Sequence, residues 1–231
     1  MNFFERYEVV PLKLDEQIGD YQSWALDYFT NPTLAPVPYI DITVQLDISS
    51  AVKTWQENLS RSKGTLTAWL IWNLLQSLKE FSCFQWRYIN NQWFEVQNPP
   101  LFSPIAVARA DRFVNLVLEH PFKMTWQEFA GTWVDLKQRI QLEGSFKTQD
   151  TSAFGFSQFI GNLPNLNFTS LTLHQPASFC QNFFYFGARH CDPLDITLMP
   201  LAAKIHHSSC DPYMLDLLLK NYLQRLNATS T

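Results

Sequence analysis

Near the C-terminus the chain reads His206-His207-Ser208-Ser209-Cys210-Asp211, and this hexapeptide carries most of the chemistry the sequence offers. An imidazole ionises close to pH 7 and can take a proton from an alcohol or an amine. Asp211 stands four positions after His207, where its carboxylate can brace the loop that aims the ring. The same letters have a plainer use. Asp followed by Pro is an ordinary helix start, with the carboxylate capping free N–H groups and Pro212 at the first helical position. A paired His-His can likewise end a polar strand. Cys210 invites a Cys–His reading, but no helix N-terminus or basic neighbour is evident to lower its pKa. His120, His174 and His190 stand alone, without His-x-x-His or Glu-x-x-His spacing, so no metal site is expected. The seven glycines form no phosphate-cradling loop.

The elements that must position the hexapeptide follow from periodicity. Ile196–Ile205 is an apolar strand-like run leading into it, and Leu215, Leu218, Leu219, Tyr222, Leu223 and Leu226 trace one face of a helix leading out. His206, one residue before His207 on that strand, is expected on the opposite face, in a structural or subunit-contact role. Further upstream, residues 1–14 alternate loosely as an initial strand, and Asp15–Phe29 has helical spacing. Asn31–Pro38 holds three prolines and reads as an extended loop. Tyr39–Leu46 alternates as a strand, Ile48–Leu59 fits a short helix, and Thr65–Phe81 is a helix with Leu66, Leu70, Leu74 and Leu78 on one stripe. Phe84–Ile89 and Trp93–Val96 flank an Asn90-Asn91 turn as a hairpin. Ile105–Ala108 and Phe113–Leu118 are strands. Thr125 and Glu128 have capping-box spacing before a helix from Trp126. Glu143–Ala153 is a loop, and Phe154–Ile160, Leu166–Leu173 and Phe183–Gly187 are strands.

The 231 residues, 46% hydrophobic, suffice for a substantial core in one domain, 1–231. With 19 Phe and 8 Trp, the aromatic surplus suits an apolar ligand site or a subunit interface. A net charge of −4 and scattered Lys and Arg argue against nucleic acid as a partner. Cys83, Cys180, Cys191 and Cys210 show no Cys-x-x-Cys pair and read as free thiols of a reducing compartment. The first residues lack a signal-peptide hydrophobic region, and Ala68–Leu75 is too short to span a bilayer. A cytoplasmic protein that meets no membrane is expected. The fold class is α/β: a two-layer sandwich, a mixed β-sheet with helices on one face.

Leu198-Met199-Pro200-Leu201-Ala202 running into His206-His207 and Asp211 resembles the end of chloramphenicol acetyltransferases, where such a strand leads to His-His-x-x-x-Asp-Gly. Asn167-Phe168-Thr169-Ser170, after Leu163-Pro164, resembles the family segment whose serine faces the reacting carbonyl. The two segments stand in the family's order and at about its spacing, and the likeness spans most of the chain, loosening before Ile40. The resemblance implies a chloramphenicol acetyltransferase-like fold and homotrimers with the active site at the subunit interface. It implies His207 as general base and an acyl-CoA such as acetyl-CoA as co-substrate, with no other bound cofactor. The acceptor would be a hydroxyl of a small, partly apolar molecule. Ser170 would donate to the oxyanion and Asp211 would be structural. In the family the histidine's other ring nitrogen is held by its own main-chain carbonyl.

The sequence departs from that pattern at two places. Pro212 stands where the family has glycine, and no arginine occupies the region of Ile18 and Gly19 where the family aspartate finds its partner. The His-x-x-x-Asp signature also occurs in peptide-synthetase condensation domains, which join two such lobes in one chain. This chain has one lobe, which excludes that architecture but leaves open a biosynthetic condensation or cyclisation using a carrier-protein thioester. A third reading is a catalytically silent trimeric binding protein. The two departures speak for it, and the intact His207 and Ser170 speak against it.

Overall fold

The computed structural model describes residues 2–13, 18–59, 64–108, 111–173 and 180–228. The chain opens with a helical turn, α1 (Phe3–Arg6), where alternation suggested a strand. The Asn2 side chain accepts from the Phe4 N–H and so caps it. After β1 (Val9–Pro11) comes α2 (Asp20–Tyr28), later than its expected start; 14–17 lie outside the described residues. Strand β2 (Tyr39–Asp47) and α3 (Ser49–Thr54) follow, and α3 runs on into a wider π-type turn, Trp55–Leu59. Helix α4 (Leu66–Glu80) starts on a Thr65 cap.

The hairpin β3 (Trp86–Ile89) and β4 (Gln92–Val96) turns through Asn90 and Asn91, both at positive φ. Asparagine tolerates that region better than most residues, and it matches the strand twist. Strands β5 (Leu101–Ala106) and β6 (Phe113–Leu118) lead to α5 (Trp126–Glu143), where Thr125 and Glu128 form the expected capping box. Then come β7 (Gln158–Asn162), β8 (Phe183–Phe186), the two-residue β9 (His190–Cys191), β10 (Thr197–His206) and α6 (Pro212–Asn227). Phe154–Phe156, expected at the start of a strand, is a tight 3₁₀ turn.

Among the described residues, the main sheet runs β2-β10-β8-β7-β5-β6, with β9 beside β10. It is mixed: β7 lies parallel to β5 and to β8, and the other pairs are antiparallel. A smaller antiparallel sheet, β1-β4-β3, sits apart from it. Helices α4 and α6 pack together, α5 lies on β5 and β6, and α4 reaches β7.

Alternation sends Met199, Leu201, Ala203 and Ile205 of β10 into the helix-side core, beside Leu70, Leu74 and Leu78 of α4. Burying each such leucine contributes about 1.5–3 kcal/mol. The opposite face carries Phe102, Phe159 and Phe183, covered by Tyr7 and Val9 from the N-terminal segment. Helices therefore cover one face, as the α/β sandwich reading required, and β10 is buried from Met199 to His206.

Candidate active site

The end of β10 is tied down residue by residue. His206 pairs with Tyr39 of β2 as the strand's last position, and the His207 N–H donates to the Pro38 carbonyl at 2.8 Å. The chain then turns, with the Ser209 and Cys210 N–H groups both donating to the His206 carbonyl. Asp211 Oδ1 accepts from the Met214 N–H at 2.8 Å and caps α6, and Pro212 takes the first helical position.

The proline fits without rebuilding the turn. Asp211 is extended, at φ −132° and ψ 174°, as a residue before proline prefers. No residue from His206 to Asp211 is left-handed. Where the family has an arginine, the Tyr21 hydroxyl of α2 stands close enough to the Asp211 carboxylate to feel its charge. That carboxylate and burial raise the Tyr21 pKa, burial being the larger cause.

The two histidines have opposite surroundings. His206 is 1% exposed, hydrogen-bonded through Nδ1 to Ser208 Oγ at 2.6 Å and set edge-on against Tyr39. Burial, with a smaller effect from His207, pushes its pKa down to about 3, so it is neutral at pH 7. The His207 ring is only partly buried. Its Nδ1 lies 3.4 Å from the Cys210 carbonyl rather than on its own main-chain oxygen. A carbonyl can only accept, so this contact places the proton on Nδ1 and leaves Nε2 free to act as a base. The Phe29 ring rests on the imidazole, centroids 4.0 Å apart and planes at 31°. Behind Phe29 a cavity of about 280 Å³ is lined by Thr30, Pro36, Pro38, Tyr88 and His206.

Ser170 lies elsewhere. Leu166–Leu173 forms a loop rather than the expected strand, and Ser170 is exposed on it. Phe168 is buried against Gly187, where a Cβ would come within 2.8 Å of the Phe168 ring. The Phe168 carbonyl accepts from Gln45 Nε2, and the Leu171 N–H donates to Thr43 Oγ1. Thr43 pairs with Ala202, five residues before His207. At ~3.3 Å per strand residue that is about 16 Å along β10. One chain therefore does not bring Ser170 and His207 together.

Several residues around the turn carried no signal in the sequence. Arg87 is fully buried, and among the described residues no carboxylate forms an ion pair with it. Its guanidinium donates to the carbonyls of Phe84, Trp86, Gly155 and Ser157, and desolvation lowers its pKa to about 10. Asn182, also fully buried, accepts from the His206 N–H, and Gln22 of α2 donates to the Ser208 carbonyl. Lys204 and Asp41 form a 2.7 Å ion pair across β10 and β2. Cys210 is a poor nucleophile on chemical grounds: burial, helped by the Cys83 thiol, pushes its pKa up. Among the described residues, no group of three or more His, Cys, Asp or Glu is placed to hold a metal ion. Nor is any of their helices long and apolar enough to cross a membrane.

Solved structures share this arrangement of strands and helices. A chloramphenicol acetyltransferase superposes with a TM-score of 0.76 at 16% identity, over 94% of this chain and 100% of that one. The chain has the chloramphenicol acetyltransferase fold. A truncated catalytic core of the 2-oxoacid dehydrogenase multienzyme complex from Thermoplasma acidophilum superposes at 0.67 and 13% identity, over 95% of this chain and 100% of its own. The epimerization domain from the third module of tyrocidine synthetase B superposes at 0.51 and 8% identity. It matches 82% of this chain and 47% of that domain, so the acetyltransferase fold here corresponds to about half of the synthetase domain. No family model and no curated protein matches the sequence.

Proposed function

We propose that the protein is an acyltransferase of the chloramphenicol acetyltransferase type. It would move an acyl group from acyl-CoA to a hydroxyl of a small, partly apolar acceptor, with His207 as general base. The observation that carries this reading is the His207 ring itself. Its Nδ1 faces the Cys210 carbonyl, so Nε2 is the nitrogen left to work, on a ring that is only partly buried and packs against Phe29.

Nε2 removes the hydroxyl proton as the acceptor oxygen attacks the thioester carbonyl. The resulting oxyanion needs a pre-positioned donor, a role worth about 3–4 kcal/mol where it has been measured in other enzymes. Collapse of the tetrahedral intermediate breaks the carbon–sulfur bond, and the His207 imidazolium returns the proton to the departing thiolate. Asp211 touches none of the reacting atoms. It fixes the start of α6 and thereby the turn that carries the base.

Ser170 is the proposed oxyanion donor, and its distance along β10 from His207 is the reason to take it from a second copy. In the homotrimer we infer, His207 of one protomer faces Ser170 of the partner subunit, and the site lies between them. The likeness to a peptide-synthetase domain keeps a carrier-protein thioester as the second donor to try. Acyl transfer assayed with short-chain CoA thioesters, and then with acylated carrier protein, against a panel of alcohols and amines tests both. Turnover lost in folded His207→Ala supports the mechanism. Half-normal turnover in that variant would refute it.

A further inference from the structure

Two side chains outside the proposed chemistry grip the main chain immediately before and after His207. On one side, Asn182 accepts from the His206 N–H at 3.0 Å, and its amide donates to the Phe84 carbonyl. Asn182 thus ties the strand end to the buried layer that Arg87 organises. On the other side, Gln22 Nε2 donates to the Ser208 carbonyl at 2.6 Å. Gln22 belongs to α2, a nine-residue helix with only Ala25 and Leu26 buried and no side-chain cap at its start. The same helix sends Tyr21 to Asp211 and leads into Phe29, whose ring lies on the imidazole.

Three side chains from α2 and the residue that ends it therefore converge on residues 207–211. An ionic hold would have tied Asp211 alone. Here the hold is spread over Asp211, the Ser208 carbonyl and the His207 ring, and its central member is a neutral amide. We propose that Gln22 is a positioning residue for the base: through Ser208 it fixes the turn so that His207 Nδ1 stays on the Cys210 carbonyl and Nε2 stays free. The proposal rests on the reading of His207 as general base for its link to turnover, but not for the geometry itself.

The amide can donate to a carbonyl, whereas a carboxylate of the same shape cannot. Gln22→Glu and Gln22→Ala should therefore both release the turn, and Ser23→Ala on the same helix should not. A misplaced catalytic group can cost about 10²-fold in rate. We expect kcat to fall by up to that factor in both Gln22 variants, with KM changed less.

The deciding readout needs no substrate. With ¹⁵N-labelled histidine, nuclear magnetic resonance should report His207 as the Nδ1–H tautomer in the unaltered protein and in Ser23→Ala. It should report a mixture of tautomers in Gln22→Ala and Gln22→Glu. An unchanged tautomer in both Gln22 variants overturns the proposal whatever the activity. If either variant fails to fold, hydrogen exchange of the Gln22 side-chain amide in the unaltered protein decides instead: protection supports the hold, and exchange at the rate of a free amide overturns it. Absence of acyl transfer with every donor would count against the enzymatic reading alone, since the tautomer measurement stands without it.

Discussion

Two regions along β10, its C-terminal end and the loop beside its middle, differ in how much the chain invests in them. At the His207 end, the Pro38 carbonyl, Asn182, Gln22, the Asp211 cap and the Phe29 ring all bear on one five-residue turn. Beside the middle of the strand, Ser170 sits exposed on a loop held by Thr43, Gln45 and the buried Phe168 ring. The contrast separates two requirements. In the proposed mechanism the base must keep one tautomer and one direction, and the contacts on the His207 turn all come from within a single chain. The proposed oxyanion donor needs only to meet the intermediate, and an exposed Ser170 suits use by a second copy.

The comparison can be broken most severely at the base. We expect His207→Ala to lower kcat by about 10⁴-fold, the upper range for general base catalysis, in steady-state assays on protein shown to be folded. Ser170→Ala should cost less, about 10²–10³-fold in kcat with KM nearly unchanged, because the bond to the oxyanion forms only in the transition state. A large rise in KM instead would make Ser170 a binding group.

Smaller effects sharpen the picture of the turn. His206 is held neutral, with a folded pKa near 3 against about 6.5 when unfolded. Between those values the unfolded chain binds the extra proton. Stability from this group is therefore complete above pH 6.5 and is lost as pH falls, by up to about 1.4 kcal/mol per pH unit. Urea titrations from pH 7 to pH 4 should show a steeper acid loss in the unaltered protein than in His206→Gln. The smallest effect expected is for Pro212→Gly. Thermal melts should show a loss of about 0.4–1 kcal/mol, from the freer unfolded chain, with an unaltered acceptor profile. A changed profile would give the proline a part in substrate choice that its position at the start of α6 does not suggest.

The parts of this arrangement that were legible in the sequence are those set by local rules. The Thr125 capping box, the Asn90-Asn91 hairpin, the α4 stripe and the alternation of β10 each follow from a few neighbouring residues. The loop at 166–173 was misread because Leu166, Phe168, Leu171 and Leu173 imitate a half-buried strand. What holds the loop is side-chain bonding to Gln45 and Thr43, more than 100 residues away in sequence. The first turn was misread for a related reason: the Asn2 cap outweighs a weak alternation. The grip of Gln22 and Asn182 on the turn had no local signal, since each acts on main-chain atoms that any residue would present. Pro212 looked like a disruption because the family glycine suggested a special backbone shape. The extended Asp211 shows that this turn uses none.

The central claim is that His207 and Ser170 act together only across two copies of the chain. It is tested by mixing inactive proteins. Folded His207→Ala and Ser170→Ala, unfolded together and reassembled in equal amounts, should recover about a quarter of the unaltered activity. In a cyclic trimer assembled at random, one site in four pairs an intact His207 with an intact Ser170 of the partner subunit. Activity no higher than that of the two parents, in a mixture shown by mass to be assembled, would contradict the shared site.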